Sequence, residues 1–318
     1  MVEIVLSQSE IVEIMAISWD SPIAKSGGNS TIRRVQFGGS DYAVKDYSGR
    51  VNGHERLKQE FSALRLVHRA LPAHFPEPLG IAVGGLQAVH SWIKGVQPQL
   101  DVSTVAKMLI LANDLHLLSH SVTLHDALPA TDQVLTIQDL LDQIGERAGA
   151  LVSGSFIVAD FIRTNLLPCM QHLPEPDRAI APPVLTLSLS DFGVHNLLWD
   201  EEDQLMRCVD LEFFGWDDAH KLTIDALLHP LADWKTECAE AFLTGAFEIY
   251  QLDEQRLLDL WPYLNMKWSV ITLARAARNI EAGLETARDS LELARSYSSN
   301  ALDSPKGLSD IVKQAVGS

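Results

Sequence analysis

The chain has 318 residues, which is long enough for a substantial hydrophobic core shared between two domains or lobes. Its formal net charge of -17 argues against a nucleic-acid partner, since such proteins present basic patches to phosphates, but would suit a cationic small molecule. No stretch approaches the roughly 20 apolar residues that cross a bilayer, and the first residues do not resemble a secretory signal. The three widely spaced cysteines fit reduced thiols, so we expect a cytoplasmic protein without a membrane partner.

A glycine-containing loop precedes a predicted β-hairpin near the start of the chain. The hairpin strands are IRRVQF and DYAVKDY, and they are joined by Gly38-Gly39. Because glycine has no Cβ, such a loop can bring backbone N–H groups close to phosphate oxygens. We therefore predict a contribution to nucleotide binding, with a plain turn as the alternative, from four loop residues: Gly27, Gly28, Asn29 and Ser30.

Lys45 lies in the second strand of this hairpin. Strand alternation places Ala43 and Lys45 on one face of the sheet, and Tyr42 and Val44 on the other. A small residue beside an ammonium group leaves room for a flat ring next to a cation. The run Tyr-Ala-Val-Lys resembles the V-A-I-K pattern of a kinase strand, whose lysine holds nucleotide phosphates. The alternative is an exposed strand lysine.

The next segment, GHERLKQEFSALRLVHRAL, has apolar residues at helical spacing. Glu60 lies at the edge of this apolar face, close to Leu57 and Leu64. A carboxylate directed toward a core is costly unless it is paired, and the available partner from the preceding strand is Lys45. The spacing therefore predicts a Lys45–Glu60 ion pair, with a solvent-facing Glu60 as the alternative.

Two further strands, LGIAV and LQAVHSWI, are predicted around Gly84-Gly85, and the second ends at Lys94-Gly95. Long helical patterns follow. We therefore place a boundary between residues 1–93, a nucleotide-binding sheet with one helix, and residues 94–318. Near the other end, residues 296–304 (SYSSNALDS) indicate a polar loop.

The strongest signal is the segment LSDFGVHN, in which Asn196 follows Asp191 by five residues. This is the spacing of the kinase catalytic loop H-R-D-x-x-x-x-N. In that loop the aspartate receives the proton of the acceptor hydroxyl, and the asparagine binds magnesium. Asp191 is therefore the predicted catalytic base.

A predicted hairpin explains why Asn196 and Asp210 should lie close together. Its strands, LLW and LMRCV, flank an acidic turn, so Asn196 precedes the first strand and Asp210 closes the second. Antiparallel pairing brings the two side chains to the open end of the hairpin. A carboxylate and an amide oxygen, completed by phosphates and water, are suitable ligands for Mg²⁺.

The tripeptide Asp191-Phe192-Gly193 also spells D-F-G, the label of the kinase magnesium aspartate. If Asp191 had that role, a catalytic aspartate with an asparagine five residues later should lie upstream. The nearby upstream candidate, Asp177, has Pro182 at that position. We therefore interpret Asp191 as the base and Asp210 as the magnesium aspartate.

With these residues in place, the chain resembles the aminoglycoside phosphotransferase and choline kinase family over residues 25 to about 230. The resemblance implies an α+β, two-lobed, protein-kinase-like fold with a small β-rich N-lobe and a larger, mainly helical C-lobe. It also implies ATP or GTP with Mg²⁺, and phosphoryl transfer to a hydroxyl of a small molecule such as an aminoglycoside, amino alcohol or sugar.

The family's roles transfer residue by residue. The resemblance makes Lys45 and Glu60 the nucleotide-anchoring pair, and Asp191 the catalytic base. Asn196 and Asp210 become the metal ligands. A hinge that offers backbone groups to adenine would be formed by Ser91, Trp92 and Ile93.

The sequence also departs from the family loop H-G-D-x-H-x-x-N. Leu189-Ser190 replaces His-Gly, and Gly193 stands where the second histidine belongs. These changes keep Asp191 and Asn196, but they concern the acceptor side, so a drug-type aminoglycoside is not the expected acceptor. The alternative function is a catalytically silent nucleotide-binding or regulatory relative, which the intact set of site residues disfavours. A protein-directed kinase is disfavoured because no A-P-E segment follows Asp210.

Overall fold

The computed structural model describes residues 6–17, 31–49, 52–82, 84–173 and 180–303. The predicted phosphate loop, Gly27 to Ser30, lies outside these residues. The first part contains one antiparallel sheet of order β1-β2-β4-β3. Its strands are β1 (Thr31–Phe37), β2 (Ser40–Asp46), β3 (Pro78–Ile81) and β4 (Gln87–Ser91), and its helices are α1 (Gln8–Ala16) and α2 (Gly53–Ala70).

The β1–β2 hairpin forms as its sequence predicts. Gly38 and Gly39 join the strands with φ angles of 58° and 82°, a left-handed pair that favours glycine at both positions. The resulting register pairs Arg34 with Ala43 and Ile32 with Lys45. The glycine turn therefore determines which residues of β2 share a face with Lys45.

The sheet has one face covered by α1. Ile11 and Ile14 of α1 pack with Tyr42 and Val44 of β2, which places Lys45 on the opposite face, as strand alternation predicts. The sequence interpretation missed α1. Its readable signal is a capping box, in which Ser7 accepts from the Glu10 N–H and Glu10 accepts from the Ser7 N–H.

Helix α2 joins the sheet to the rest of the molecule. Leu57 packs below the sheet, whereas Leu64 and Val67 belong to the large core of the second part. This division follows from helical periodicity, since the two sets lie at different heights along one apolar stripe. Glu60 lies between them and is buried.

The second part is mainly helical. Its helices are α3 (Val102–Ser119), α4 (Ile137–Leu151), α5 (Phe156–Phe161), a π-helical turn (Ile162–Leu166), α6 (Leu167–Gln171), α7 (Ala219–Leu228), α8 (Thr236–Tyr250), α9 (Glu254–Glu281) and α10 (Ala287–Asn300). Two short antiparallel pairs carry the candidate site. They are β5 (Leu185–Ser188) with β8 (Gly215–Asp218), and β6 (Leu197–Asp200) with β7 (Leu205–Cys208).

The polar loop predicted over residues 296–304 is wrong for its first half, because α10 continues to Asn300. Tyr297 and Ser298 are buried, and the Ser298 hydroxyl donates to the Arg295 carbonyl at 2.9 Å. A serine hydroxyl that donates to a carbonyl of its own helix is satisfied there and is compatible with burial. The polar composition of this segment therefore does not indicate a loop. None of the described helices is both long and apolar enough to cross a membrane.

Candidate functional site

Lys45 is the centre of a buried ion cluster. Its Nζ lies 2.6 Å from Glu60 Oε2 and 2.7 Å from Asp210 Oδ1. The Tyr47 hydroxyl also donates to Glu60 Oε2 at 2.6 Å, and the Leu211 N–H reaches Glu60 Oε1 at 3.4 Å. One ammonium group thus joins strand β2, helix α2 and the segment that follows β7.

The cluster carries more negative than positive charge. Burial lowers the pKa of Lys45, but the carboxylates of Asp210, Glu60 and Glu212 outweigh it and raise the pKa overall, so the ammonium stays charged. Arg56 pairs with Glu212 at 2.6 Å. Two cations therefore face three carboxylates, and this excess of negative charge suits a bound metal cation.

The β6–β7 hairpin brings Asn196 next to the segment that carries Asp210. Leu197 pairs with Cys208, and the Val209 N–H extends the pairing to the Asn196 carbonyl at 2.9 Å. The Asn196 side-chain N–H donates to the Asp191 carbonyl at 3.1 Å, which leaves the amide oxygen as a ligand atom. Asp210 has a left-handed φ of 67°, a conformation that costs energy and recurs at functional sites. The two oxygen donors fit Mg²⁺ by their chemistry.

The loop that carries Asp191 is anchored to a buried acid. Ser190 has a left-handed φ of 57°, and its hydroxyl donates to Asp217 Oδ2 at 3.4 Å. The Ser190 N–H donates to the Ser188 hydroxyl at 2.9 Å. Asp217 is fully buried and also pairs with Lys221 at 2.6 Å. The Asp217–Lys221 ion pair thus contacts the loop through Ser190.

Two imidazole rings flank the Asp191 carboxylate. His195 Nε2 lies 3.2 Å from Oδ2, and His229 Nε2 lies 3.4 Å from Oδ1. Burial raises the pKa of Asp191, but the His195 hydrogen bond and the proximity of His229 outweigh burial and lower it overall. The sequence interpretation missed His229, because it lies just after α7 and no local spacing connects it to Asp191.

Asp191, His195 and His229 also have the residue types of a metal site, with ligand atoms within 4.8 Å of one another. The Leu231 N–H, however, donates to His229 Nδ1 at 3.2 Å. A neutral ring whose Nδ1 accepts must carry its proton on Nε2, the nitrogen that faces Asp191. A protonated nitrogen has no lone pair for a metal, so the cluster fits a hydrogen-bonded carboxylate better.

Known proteins resemble this chain in structure rather than in sequence. No family model matches it, and no curated protein matches it by sequence. Among solved structures, a choline/ethanolamine kinase family protein from Mesorhizobium loti matches with a TM-score of 0.60 and 15% identity, covering 96% of this chain and 97% of that one. A choline kinase from Streptococcus pneumoniae matches with a TM-score of 0.60 and 13% identity, covering 89% and 92%.

A spectinomycin phosphotransferase solved with ADP and spectinomycin matches with a TM-score of 0.54 and 14% identity, covering 91% of this chain and 90% of that one. The chain has the kinase-like fold of these proteins. The predicted α+β class and the predicted resemblance are thus confirmed at the level of the fold.

In this kinase-like fold, the predicted hinge begins at Ser91, the last residue of β4. The Ser91 N–H donates to the Glu77 carbonyl at 2.9 Å, and the Trp92 N–H donates to the Asp41 carbonyl at 3.2 Å. Within the described ranges, the Ile93 N–H has no backbone partner. Of the three predicted hinge residues, Ile93 therefore offers the N–H that a nucleotide base could use, and the role of the hinge stays a prediction.

His90 is a buried histidine of β4 on the same face as Lys45, opposite Ala43. It is 4% exposed, and neither ring nitrogen has a hydrogen-bond partner in the described part of the chain. Burial, assisted by the charge of Lys45, lowers the pKa of His90 to about 3. The ring therefore stays neutral in the folded protein over the usual pH range.

His90 should make the protein less stable in acid. The unfolded chain binds a proton at this histidine below a pKa of about 6.5, whereas the folded chain does not until about 3, so the free energy of unfolding falls across this window. At pH 5 the loss from His90 is about 2 kcal/mol. Urea unfolding at pH 7 and pH 5 should show a smaller drop for His90→Leu than for the wild type. Equal drops would contradict the assignment, and His125→Leu, at an exposed position, is the control.

Proposed function

We propose that the protein is an ATP- and Mg²⁺-dependent phosphotransferase that moves the γ-phosphoryl group to a hydroxyl of a small molecule. The observation that carries the proposal is the Lys45 ammonium, bound at once by Glu60 and Asp210 in a kinase-like fold. A lysine fixed between a helix acid and a metal-binding aspartate is the arrangement that kinases use to hold nucleotide phosphates.

The nucleotide would lie between the two parts of the molecule. Lys45 would contact its phosphates, Ile93 its base, and the loop from Gly27 to Ser30 would cover the phosphates. Mg²⁺ held by Asn196 and Asp210 would offset the phosphate charge. The ADP in the spectinomycin phosphotransferase supports a nucleotide in this fold, and either ATP or GTP is compatible with the residues.

Asp191 would act on the acceptor. Its carboxylate accepts a hydrogen bond from the acceptor hydroxyl and aligns that oxygen with the γ-phosphorus. The new P–O bond forms as the bond to the ADP oxygen breaks, and the hydroxyl proton passes to Asp191. The lowered pKa of Asp191 makes it a weak base, which suits a proton transfer that is completed late in a loose transition state.

The acceptor remains a class rather than a compound. Choline kinases and a spectinomycin phosphotransferase share the fold, so amino alcohols, sugars and aminoglycosides are the candidates. The charge of -17 suits a cationic acceptor, and the free cysteines suit the cytoplasm. A silent regulatory relative is less well supported, since Lys45, Glu60 and Asp210 are all present and in contact.

An ADP-release screen over these acceptor classes tests the proposal. We expect at least one class to stimulate release, and Asp191→Asn to lower the stimulated rate by about 10²-fold or more, the usual contribution of a positioned base. Calorimetry should show that Asp191→Asn still binds ATP with Mg²⁺.

Two results would contradict this proposal in different ways. Absence of nucleotide binding by the wild type with Mg²⁺ would exclude the kinase assignment. Nucleotide binding without release for every acceptor class would support the silent relative instead.

A further inference from the structure

We propose that His229 is a positioning residue. As a neutral imidazole, it donates a hydrogen bond that orients the Asp191 carboxylate. This inference rests on the proposed function, because it assigns a partner to the proposed base. His229 follows α7, outside the catalytic loop, and its Nε2 lies 3.4 Å from Asp191 Oδ1. It therefore brings a second ring nitrogen to Asp191 from another element, in addition to that of His195 on the loop.

The position of the ring proton follows from the other nitrogen. Nδ1 of His229 accepts the Leu231 N–H at 3.2 Å, so the neutral ring carries its proton on Nε2. This nitrogen faces Asp191 Oδ1, a buried oxygen that has no hydrogen-bond partner among the described residues and is therefore available to accept. His195 Nε2 lies 3.2 Å from the other carboxylate oxygen of Asp191, Oδ2. Each oxygen of Asp191 thus faces one imidazole nitrogen and keeps a further lone pair for an acceptor hydroxyl.

The His229 ring is fixed from both sides. It stacks on His195 with centroids 4.6 Å apart and an interplanar angle of 18°. The Trp268 ring lies nearly perpendicular to it, with centroids 5.3 Å apart, and the Trp268 indole N–H donates to Asp225 Oδ1 at 2.8 Å. Packing that removes rotamer freedom is what a residue needs in order to position another.

Gly193 provides the space for this arrangement. A Cβ at Gly193 would lie 2.5 Å from His195 Cε1 and 3.6 Å from His229 Nδ1. The glycine that departs from the family loop therefore makes room for a histidine placed two residues later. The loss of one histidine from the loop and the presence of the His195–His229 stack are parts of the same local structure.

The surroundings of His229 keep it uncharged at neutral pH. The charged and titratable groups that face it are Asp191 and His195 on the loop, Asp225 on α7 and Arg275 on α9. Burial lowers the pKa of His229 and outweighs the two carboxylates, which raise it. A charged imidazolium would form an ion pair with Asp191 and weaken it as a base, whereas a neutral donor orients it and leaves its charge available.

Kinetic measurements distinguish a positioning role of His229 from a purely structural one. The rate measured is ADP release from ATP and Mg²⁺ with water as the acceptor, alongside any hydroxyl compound that stimulates release. We expect His229→Ala to lower kcat by about tenfold, the value of one lost hydrogen bond, while KM for ATP is unchanged. His229→Gln, which keeps an N–H donor, should restore part of kcat, and His125→Ala, at an exposed position, should have no effect. Equal kcat values for His229→Ala and the wild type would overturn the proposal.

A spectroscopic test needs no acceptor and no variant activity. Long-range ¹⁵N–¹H spectra of the ¹⁵N-histidine-labelled full chain, assigned by comparison with His229→Gln, should show a neutral ring with its proton on Nε2 at pH 7.5. A charged ring, or a proton on Nδ1, would overturn the proposal. Tight Zn²⁺ binding by the wild type that His229→Gln abolishes would also overturn it, in favour of a metal ligand. These outcomes are independent of ATP binding, so failure of the proposed function is recognised separately by calorimetry.

Discussion

Asp210→Asn is expected to lower acceptor-stimulated ADP release by roughly 10³-fold or more. The change keeps the size of the side chain but removes the carboxylate that contacts Lys45 at 2.7 Å and supplies charge to the proposed Mg²⁺ site. A metal ion that neutralises phosphate charge stabilises the transition state by several kcal/mol, and a loss of about 4 kcal/mol corresponds to a 10³-fold lower rate. Steady-state rates at saturating ATP and several Mg²⁺ concentrations measure it.

The control for Asp210→Asn lies on the same hairpin. Asp203 is 59% exposed in the β6–β7 turn, away from Lys45, so Asp203→Asn should keep the rate within about twofold. Melting temperatures show whether each variant is folded. The metal role of Asp210 would be excluded by a folded Asp210→Asn protein with near wild-type turnover and an unchanged dependence on Mg²⁺.

Local patterns were sufficient to predict the Lys45 side of the site. Strand alternation gave the face of Lys45, helical spacing gave Glu60, and these two side chains pair at 2.6 Å. The β6–β7 hairpin formed as predicted because an acidic turn between two apolar runs fixes an antiparallel pair. These features depend on short stretches of chain, where the residue pattern determines the structure.

Other features depend on packing between distant segments. His229 reaches Asp191 because α7 ends beside the loop that carries Asp191, and no spacing in the sequence encodes that approach. The end of α10 is helical because Tyr297 is buried against the rest of the lobe. Asp217 accepts from Ser190 because β8 pairs with β5, two strands that are distant in the sequence. Tertiary contacts of this kind outweigh local composition, so the sequence pattern alone does not predict them.

Lys221→Met is expected to lower the free energy of unfolding by about 3–5 kcal/mol, the usual cost of breaking a buried ion pair. Lys221 is 1% exposed, and its Nζ lies 2.6 Å from Asp217 and 3.2 Å from Asp225. Burial lowers the pKa of Lys221, but the two carboxylates outweigh burial and raise it, so the ammonium is charged across the neutral range. A folded pKa above the unfolded value stabilises the protein at every pH below about 10, so the loss should be the same at pH 6 and pH 8.

Urea unfolding of Lys221→Met should be compared with Lys58→Met, which changes an exposed lysine of α2 and should alter stability by at most about 0.5 kcal/mol. Because Asp217 also accepts from Ser190, the Lys221 variant should in addition lose turnover under conditions where it is folded. A loss of stability below about 1 kcal/mol would mean that other groups stabilise both carboxylates without Lys221. Lys267 lies 3.5 Å from Asp225, and two backbone N–H groups donate to Asp217. Unchanged turnover in a destabilised variant would mean that the loop carrying Asp191 keeps its position without the contact from Ser190 to Asp217. The two measurements therefore separate the role of this buried cluster in folding from its role in holding Asp191.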